Sequence, residues 1–247
     1  MRLRLLSAAV LSCISLAAGA EAPHWAYDGP QGARHWAELD KNYTECRLGH
    51  AQSPIDIQSA KIDKDAPALE FSYQARPLVI VNNGHTVQVD ETGAGALTIG
   101  GHAYQIAQFH FHTPSEERIR GRAYDMVAHL VHKDDAGKLA VVAVLFKLGR
   151  ENTALKPVLD NMPLGAGPAH TVAGLSFNPA DLLPGKRGYY HFQGSLTTPP
   201  CTEGVSWYVL STPVELSRAQ LAQFRTLYKH NARPLQPANG REITERP

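Results

Sequence analysis

The chain has 247 residues, 43% hydrophobic and 19% charged, which is enough apolar content for a substantial core and excludes a disordered chain. Its 24 Lys and Arg are matched by 23 Asp and Glu with no basic stripe, so nucleic acid is not expected as the main partner. Twelve His against three Cys and three Met is the feature that calls for an explanation.

The chain opens on a short basic start, Met1-Arg2-Leu3-Arg4, followed by an apolar run from Leu5 to Ala18 and a small-x-small close at Ala18-Gly19-Ala20. That is the layout of an export signal over residues 1–20, leaving 21–247 as one mature domain. A lipidated Cys13 is the weaker alternative, because Val10-Leu11-Ser12-Cys13 only loosely resembles the lipoprotein box. The run is too short to span a bilayer, and no later one reaches the ~20 residues required. Export leads to the periplasm first, with secretion as the other destination. Two cysteines then remain, Cys46 and Cys201, and in that compartment they suggest one disulfide, with two separate buried thiols as the alternative.

Residues 21–75 are rich in Pro, Gly and aromatics and read as an irregular wrapping segment. Period-2 alternation and β-branched runs then predict strands over 78–81, 86–89, 96–99, 104–112, 126–132, 139–148 and 205–210. Asn82-Asn83-Gly84, Thr92-Gly93, Gly100-Gly101 and residues 134–137 are turn signals between them, so antiparallel hairpins are expected. Helical pattern is sparse: 152–161 is one candidate, and 217–228, with Leu221, Phe224, Leu227 and Tyr228 on one face, is the better one. Residues 229–247 again read as wrapping. The fold class is mainly β with short peripheral helices, a large, mostly antiparallel central sheet and a single domain.

Gln108-Phe109-His110-Phe111-His112 carries the chemistry. Residues two apart on a strand share a face, so His110 and His112 project together while Phe109 and Phe111 enter the apolar side. Pairing the next predicted strand beside this one brings His129 to the same face. Three imidazoles suit Zn²⁺ with its fourth position open; as neutral ligands they leave the full +2, which pulls the pKa of bound water to about 7. On the three histidines alone, a cupin-like metal barrel or no metal at all remains open.

The surrounding residues extend the pattern. Phe109-His110-Phe111-His112 followed by Pro114-Ser115-Glu116, then His129-Leu130-Val131-His132, then Gly194-Ser195-Leu196-Thr197-Thr198-Pro199-Pro200-Cys201, resembles the α-class carbonic anhydrases of the bacterial exported type. His24-Trp25-x-Tyr27, Gln52-Ser53-Pro54-Ile55, Asn82-Asn83-Gly84-His85 and Asn231-x-Arg233-Pro234 add to it, in collinear order. The resemblance implies the reversible hydration of carbon dioxide to bicarbonate through zinc-bound hydroxide, with His110, His112 and His129 as zinc ligands. It further implies that Thr197 and Glu116 orient the hydroxide, that His85 shuttles protons, and that Thr198 lines the site beside Thr197. Val131, Val141, Leu196 and Trp207 match the apolar pocket for carbon dioxide, and Gln108 matches an acceptor for His110. Cys46 and Cys201 match the disulfide of exported members, which would anchor the loop carrying Thr197. A family-like recognition module without activity, and an ester hydrolase using the same zinc, are the rival functions. The oligomeric state is left open, a dimer included. One departure stands out: much of the family has a Glu two residues before the third ligand, where this chain has Val127. Either another acceptor serves His129, Asp125 being the nearest carboxylate on that strand, or the ring is less firmly oriented.

Overall fold

A computed structural model describes residues 23–247. The export signal expected over residues 1–20, with Cys13, lies outside the described residues. The predicted strands are present, most of them a little longer than the pattern indicates: Arg76–Asn82, Val87–Asp90, Gly95–Ile99, His102–His112, Met126–Lys133, Leu139–Leu148 and Glu203–Leu210. They belong to a 13-stranded sheet whose central order is Val87–Asp90, His102–His112, Met126–Lys133, Leu139–Leu148, Glu203–Leu210, Tyr189–Ser195. His170–Phe177 lies at one edge, and the short Thr244–Arg246 and Lys61–Ile62 strands lie at the other.

The sheet is mostly antiparallel, as expected, with local parallel pairs. Leu139–Leu148 pairs in parallel with Glu203–Leu210 and with Val214–Leu216, so the sheet is mixed at that point. The long 149–202 connection makes this possible, because a parallel neighbour needs a crossover that no tight turn supplies. One expectation needs correction, because the wrapping segments contain strands: Leu69–Tyr73 and Lys61–Ile62 in the first, Thr244–Arg246 in the last. The helix expected over 152–161 is only Lys156–Leu159, and the one over 217–228 is Arg218–Arg225. Ser217 caps the latter through a reciprocal box with Gln220, which satisfies two N-terminal backbone N–H groups.

Alternation along the central strands separates two apolar clusters. Phe109, Phe111, Ala128, Leu130, Val142 and Val144 face a large core that Leu221 and Phe224 of the Arg218–Arg225 helix close. Val127, Val141, Ala143, Val205 and Trp207 point the other way, into a smaller cluster with Ile55 and Ile57. The site lies on this second face, on strands whose backs are fully packed.

Candidate metal centre

The strand register sets His110 opposite His129, and His112 opposite Val127. Ring centroids are 5.0 Å apart for His110 and His112, 5.5 Å for His110 and His129, and 4.8 Å for His112 and His129. One nitrogen from each ring lies within 4.8 Å of those of the other two. The remaining nitrogens are engaged elsewhere. His110 Nδ1 faces Gln108 Oε1 at 2.9 Å, and His112 Nδ1 donates to the Asn231 carbonyl at 2.7 Å. His129 Nε2 lies 3.0 Å and 3.2 Å from the two Glu117 oxygens. Each outward contact fixes a tautomer and leaves the inward nitrogen as a lone-pair donor.

This donor set fits zinc. Nε2 of His112 is buried with no hydrogen-bond partner, a costly arrangement that a shared cation would relieve. His110 keeps some surface open to solvent, while His112 and His129 are buried. Enclosure, with His129 alongside, pushes His110 down to about 3 and His112 well below its ordinary value, so both rings are neutral and able to ligate. Burial lowers His129 as well, but the Glu117 charge and hydrogen bond, helped by Glu116, outweigh it and raise the ring.

Glu116 is fully enclosed beside this group, its Oε1 accepting the Arg233 backbone N–H at 2.7 Å. Burial pushes its carboxyl up to about 7, against the pull of His129, the Arg233 N–H and the Thr197 hydroxyl. Thr197 is buried, and its loop is tied down on both sides. Leu196 N–H donates to the Thr202 carbonyl and Cys201 N–H to that of Thr198, both at 2.9 Å. Cys46 and Cys201 are disulfide-bonded across 155 residues. The Gln52 amide donates to the Cys201 carbonyl at 2.9 Å.

Val131, Val141 and Trp207 form one row across three strands, paired Val131 to Val141 and Val141 to Trp207. Leu196 packs against the same cluster, and the Trp207 ring meets His129 edge-on at 4.9 Å. An apolar wall therefore adjoins the three imidazoles. His85 follows a turn in which Gly84 has φ +88°, a conformation that favours glycine, and Asn83 Oδ1 accepts the N–H groups of His85 and Thr86 at 3.0 Å. Its ring stacks on Trp25 at 3.6 Å between centroids, and burial, then His24, lowers its pKa.

Two residues gain roles that the sequence did not assign. Asn231 accepts from His112 through its backbone, donates its amide to the carbonyls of Phe111 and His85, and accepts the Thr113 N–H. Its motif was visible, but nothing in the sequence pointed it at a ligand. Glu117 faces His129, so the expectation for Asp125 is corrected: its Oδ2 accepts the Leu148 N–H at 2.9 Å instead. His132, which carried no assignment, is buried, with Nδ1 on the Ala140 carbonyl and Nε2 on the Tyr73 hydroxyl.

A family model described as eukaryotic-type carbonic anhydrase matches residues 31–247. A carbonic anhydrase of Klebsiella pneumoniae is 43% identical over 249 residues, covering 99% of this chain and 100% of that relative. The solved α-carbonic anhydrase of Photobacterium profundum is 44% identical with a TM-score of 0.83, covering 90% of this chain and 100% of that one. The α-carbonic anhydrase of Thermovibrio ammonificans, solved with an inhibitor, is 41% identical with a TM-score of 0.84, covering 91% of this chain and 100% of that one.

Proposed function

This chain belongs to the eukaryotic-type carbonic anhydrase family, the α class, and we propose that it hydrates carbon dioxide at a zinc ion held by His110, His112 and His129. Reversible hydration of carbon dioxide to bicarbonate and a proton is the reaction of this enzyme family. The observation that carries the zinc assignment is the division of the ring nitrogens, one from each histidine engaged outward and one turned toward a common centre. When bound, zinc supplies Lewis-acid charge that makes a coordinated water acidic near neutral pH.

The protein's own groups do the rest. The Thr197 hydroxyl lies beside the Glu116 carboxyl; by donating a hydrogen bond to it, the hydroxyl would keep its own lone pair free to accept from, and so orient, the attacking group. Glu116 is held for this by the Arg233 N–H. Carbon dioxide carries no charge to grip, and the wall of Val131, Val141, Leu196 and Trp207 offers it an apolar resting place next to the imidazoles. Thr198 borders the same loop and takes part in holding the anionic product. His85 collects the released proton and passes it to buffer, a task suited to an imidazole, and the lowering of its pKa by burial and then His24 favours the release step. The basic-apolar N-terminal sequence and the Cys46–Cys201 bridge support export, to the periplasm in the first instance.

Metal analysis of the purified protein together with stopped-flow carbon dioxide hydration tests the reading. One zinc per chain is expected, with activity lost to a chelator and restored by zinc. A protein active without zinc, or with zinc held after His110→Ala, would refute it.

A further inference from the structure

Val127 leaves the Met126–Lys133 strand without the acceptor that His129 needs. Val127 is fully buried among Ile55, Ile57, Val141 and Leu145 and has no polar atom to offer. Asp125 is committed to Leu148. The carboxylate that does meet His129 comes from outside the strand. Glu117 is fully buried, and both its oxygens lie near His129 Nε2, at 3.0 Å and 3.2 Å. Its placement is built in. Ser115 N–H donates to the Tyr124 carbonyl at 3.0 Å, Tyr124 N–H donates to Ser115 Oγ at 2.9 Å, and that hydroxyl donates to the Glu117 carbonyl at 2.8 Å. The turn is therefore clamped at Ser115 and at Glu117, and the two consecutive carboxylates diverge, Glu116 accepting from Arg233 and Glu117 meeting His129.

We propose that Glu117 is the positioning residue for His129, accepting the Nε2 hydrogen so that Nδ1 is presented to the metal, and that it thereby replaces a carboxylate the strand lacks at Val127. This rests on the zinc reading above. The Ser115-Glu116-Glu117 turn then serves the site twice, Glu116 steadying Thr197 and Glu117 steadying a ligand. A carboxylate on the far nitrogen makes the imidazole a better donor and holds its plane, and loss of such a partner typically weakens metal affinity by about 10–100-fold. His129 is thereby distinguished from its two neighbours. They offer Nε2 and have amide or carbonyl oxygens behind Nδ1, whereas it offers Nδ1 and has a side-chain carboxyl group behind Nε2.

The test is the rate at which zinc passes from the loaded protein to excess dipicolinate, for wild type, Glu117→Gln, Glu117→Asp and the double variant Glu117→Gln with Val127→Glu. Loss about 10–100-fold faster is expected for Glu117→Gln, an intermediate rate for Glu117→Asp, and recovery of much of the slow rate in the double variant, where the carboxylate returns on the strand. Circular dichroism of the metal-free proteins separates this from misfolding. A second measurement needs no variant: in ¹⁵N-labelled zinc-loaded wild type, long-range ¹H–¹⁵N correlations should show His129 protonated on Nε2, and His110 and His112 protonated on Nδ1. Equal zinc loss from wild type and a folded Glu117→Gln, or a His129 protonated on Nδ1, overturns the proposal while leaving the zinc reading in place. A wild type that takes up no zinc overturns the zinc reading itself, and this inference with it.

Discussion

Replacing Cys46 and Cys201 together by Ser opens a bridge that spans 155 residues of sequence. In the chain-entropy account, a closed loop of that length removes about 5 kcal/mol of freedom from the unfolded chain, an upper figure because unfolded chains retain some structure. At the roughly 2–4 °C per kcal/mol usual for chains of this size, the unfolding midpoint should fall by about 10–20 °C. A small opposing contribution exists. Cys201 has φ +61°, a left-handed conformation that costs a non-glycine residue about 1–2 kcal/mol, and the unbridged residue can relax out of it. The loop carrying Thr197 keeps other anchors: Gln52 donates to the Cys201 carbonyl, and Ser53 N–H to Ser195 Oγ, each at 2.9 Å. Activity well below the midpoint should therefore fall much less than the roughly 10²-fold expected when a preorganised contact is deleted outright. Melting curves followed by circular dichroism under non-reducing conditions, with stopped-flow hydration at low temperature, measure both effects. A midpoint within about 2 °C of wild type would show that the unfolded-state argument is wrong here.

His85→Ala should lower kcat in dilute buffer and recover with added imidazole, whereas Thr197→Ala should lower kcat/KM by roughly 10²-fold at every buffer concentration; indistinguishable responses to buffer would remove the separate roles. Glu91 is almost fully buried, with Oε1 unpartnered, and burial, then Asp90, pushes its carboxyl up to about 8 against the pull of Arg76. The folded protein thus keeps a proton that the unfolded chain releases above about 4.5, so stability is full below that pH and declines as pH rises toward 8, by up to several kcal/mol at about 1.4 per pKa unit. Glu91→Gln should flatten that decline in urea titrations between pH 5 and 9, and a wild-type curve already flat there would refute the assignment.

What the sequence made legible was whatever alternation encodes. His110, His112 and His129 share a face because strand side chains alternate, and the one-to-one register between His110 and His129 follows from neighbouring antiparallel strands. Leu69–Tyr73 carried the same signal, with Leu69 inward and Glu70 outward, but it sits in a Pro-rich neighbourhood that reads as irregular. His170–Phe177 carried none: it is an edge strand exposed on nearly every residue, so no apolar period marks it. Parallel pairing beside Leu139–Leu148 was equally invisible, since a strand buried on both faces reads the same whichever way its neighbour runs. Glu117 could not be found by spacing, because it reaches His129 from a turn on the other side of a loop whose path the sequence leaves undefined.

The C-terminal segment, read from sequence as a wrapping strap, is better understood as the joint that makes one site out of remote parts. Asn231 binds the strand carrying His112, the turn carrying His85 and the start of the Thr113 loop. Two residues on, Arg233 offers its N–H to Glu116, while its guanidinium reaches Gln52 Oε1 and the carbonyls of Ser53 and Cys46. Those partners adjoin the disulfide, whose other end closes the loop of Thr197. The strand of His112, the turn of His85, the loop of Thr197 and the bridge therefore meet at two neighbouring residues. Arg233 is buried, and its charge is distributed over carbonyl and amide oxygens, which a lysine of similar length could satisfy only in part because it lacks the planar fork. Much of the site's rigidity thus resides in contacts that never touch substrate. That is why the Asn231-x-Arg233-Pro234 motif, which carries no reactive group of its own, is bound up with the chemistry.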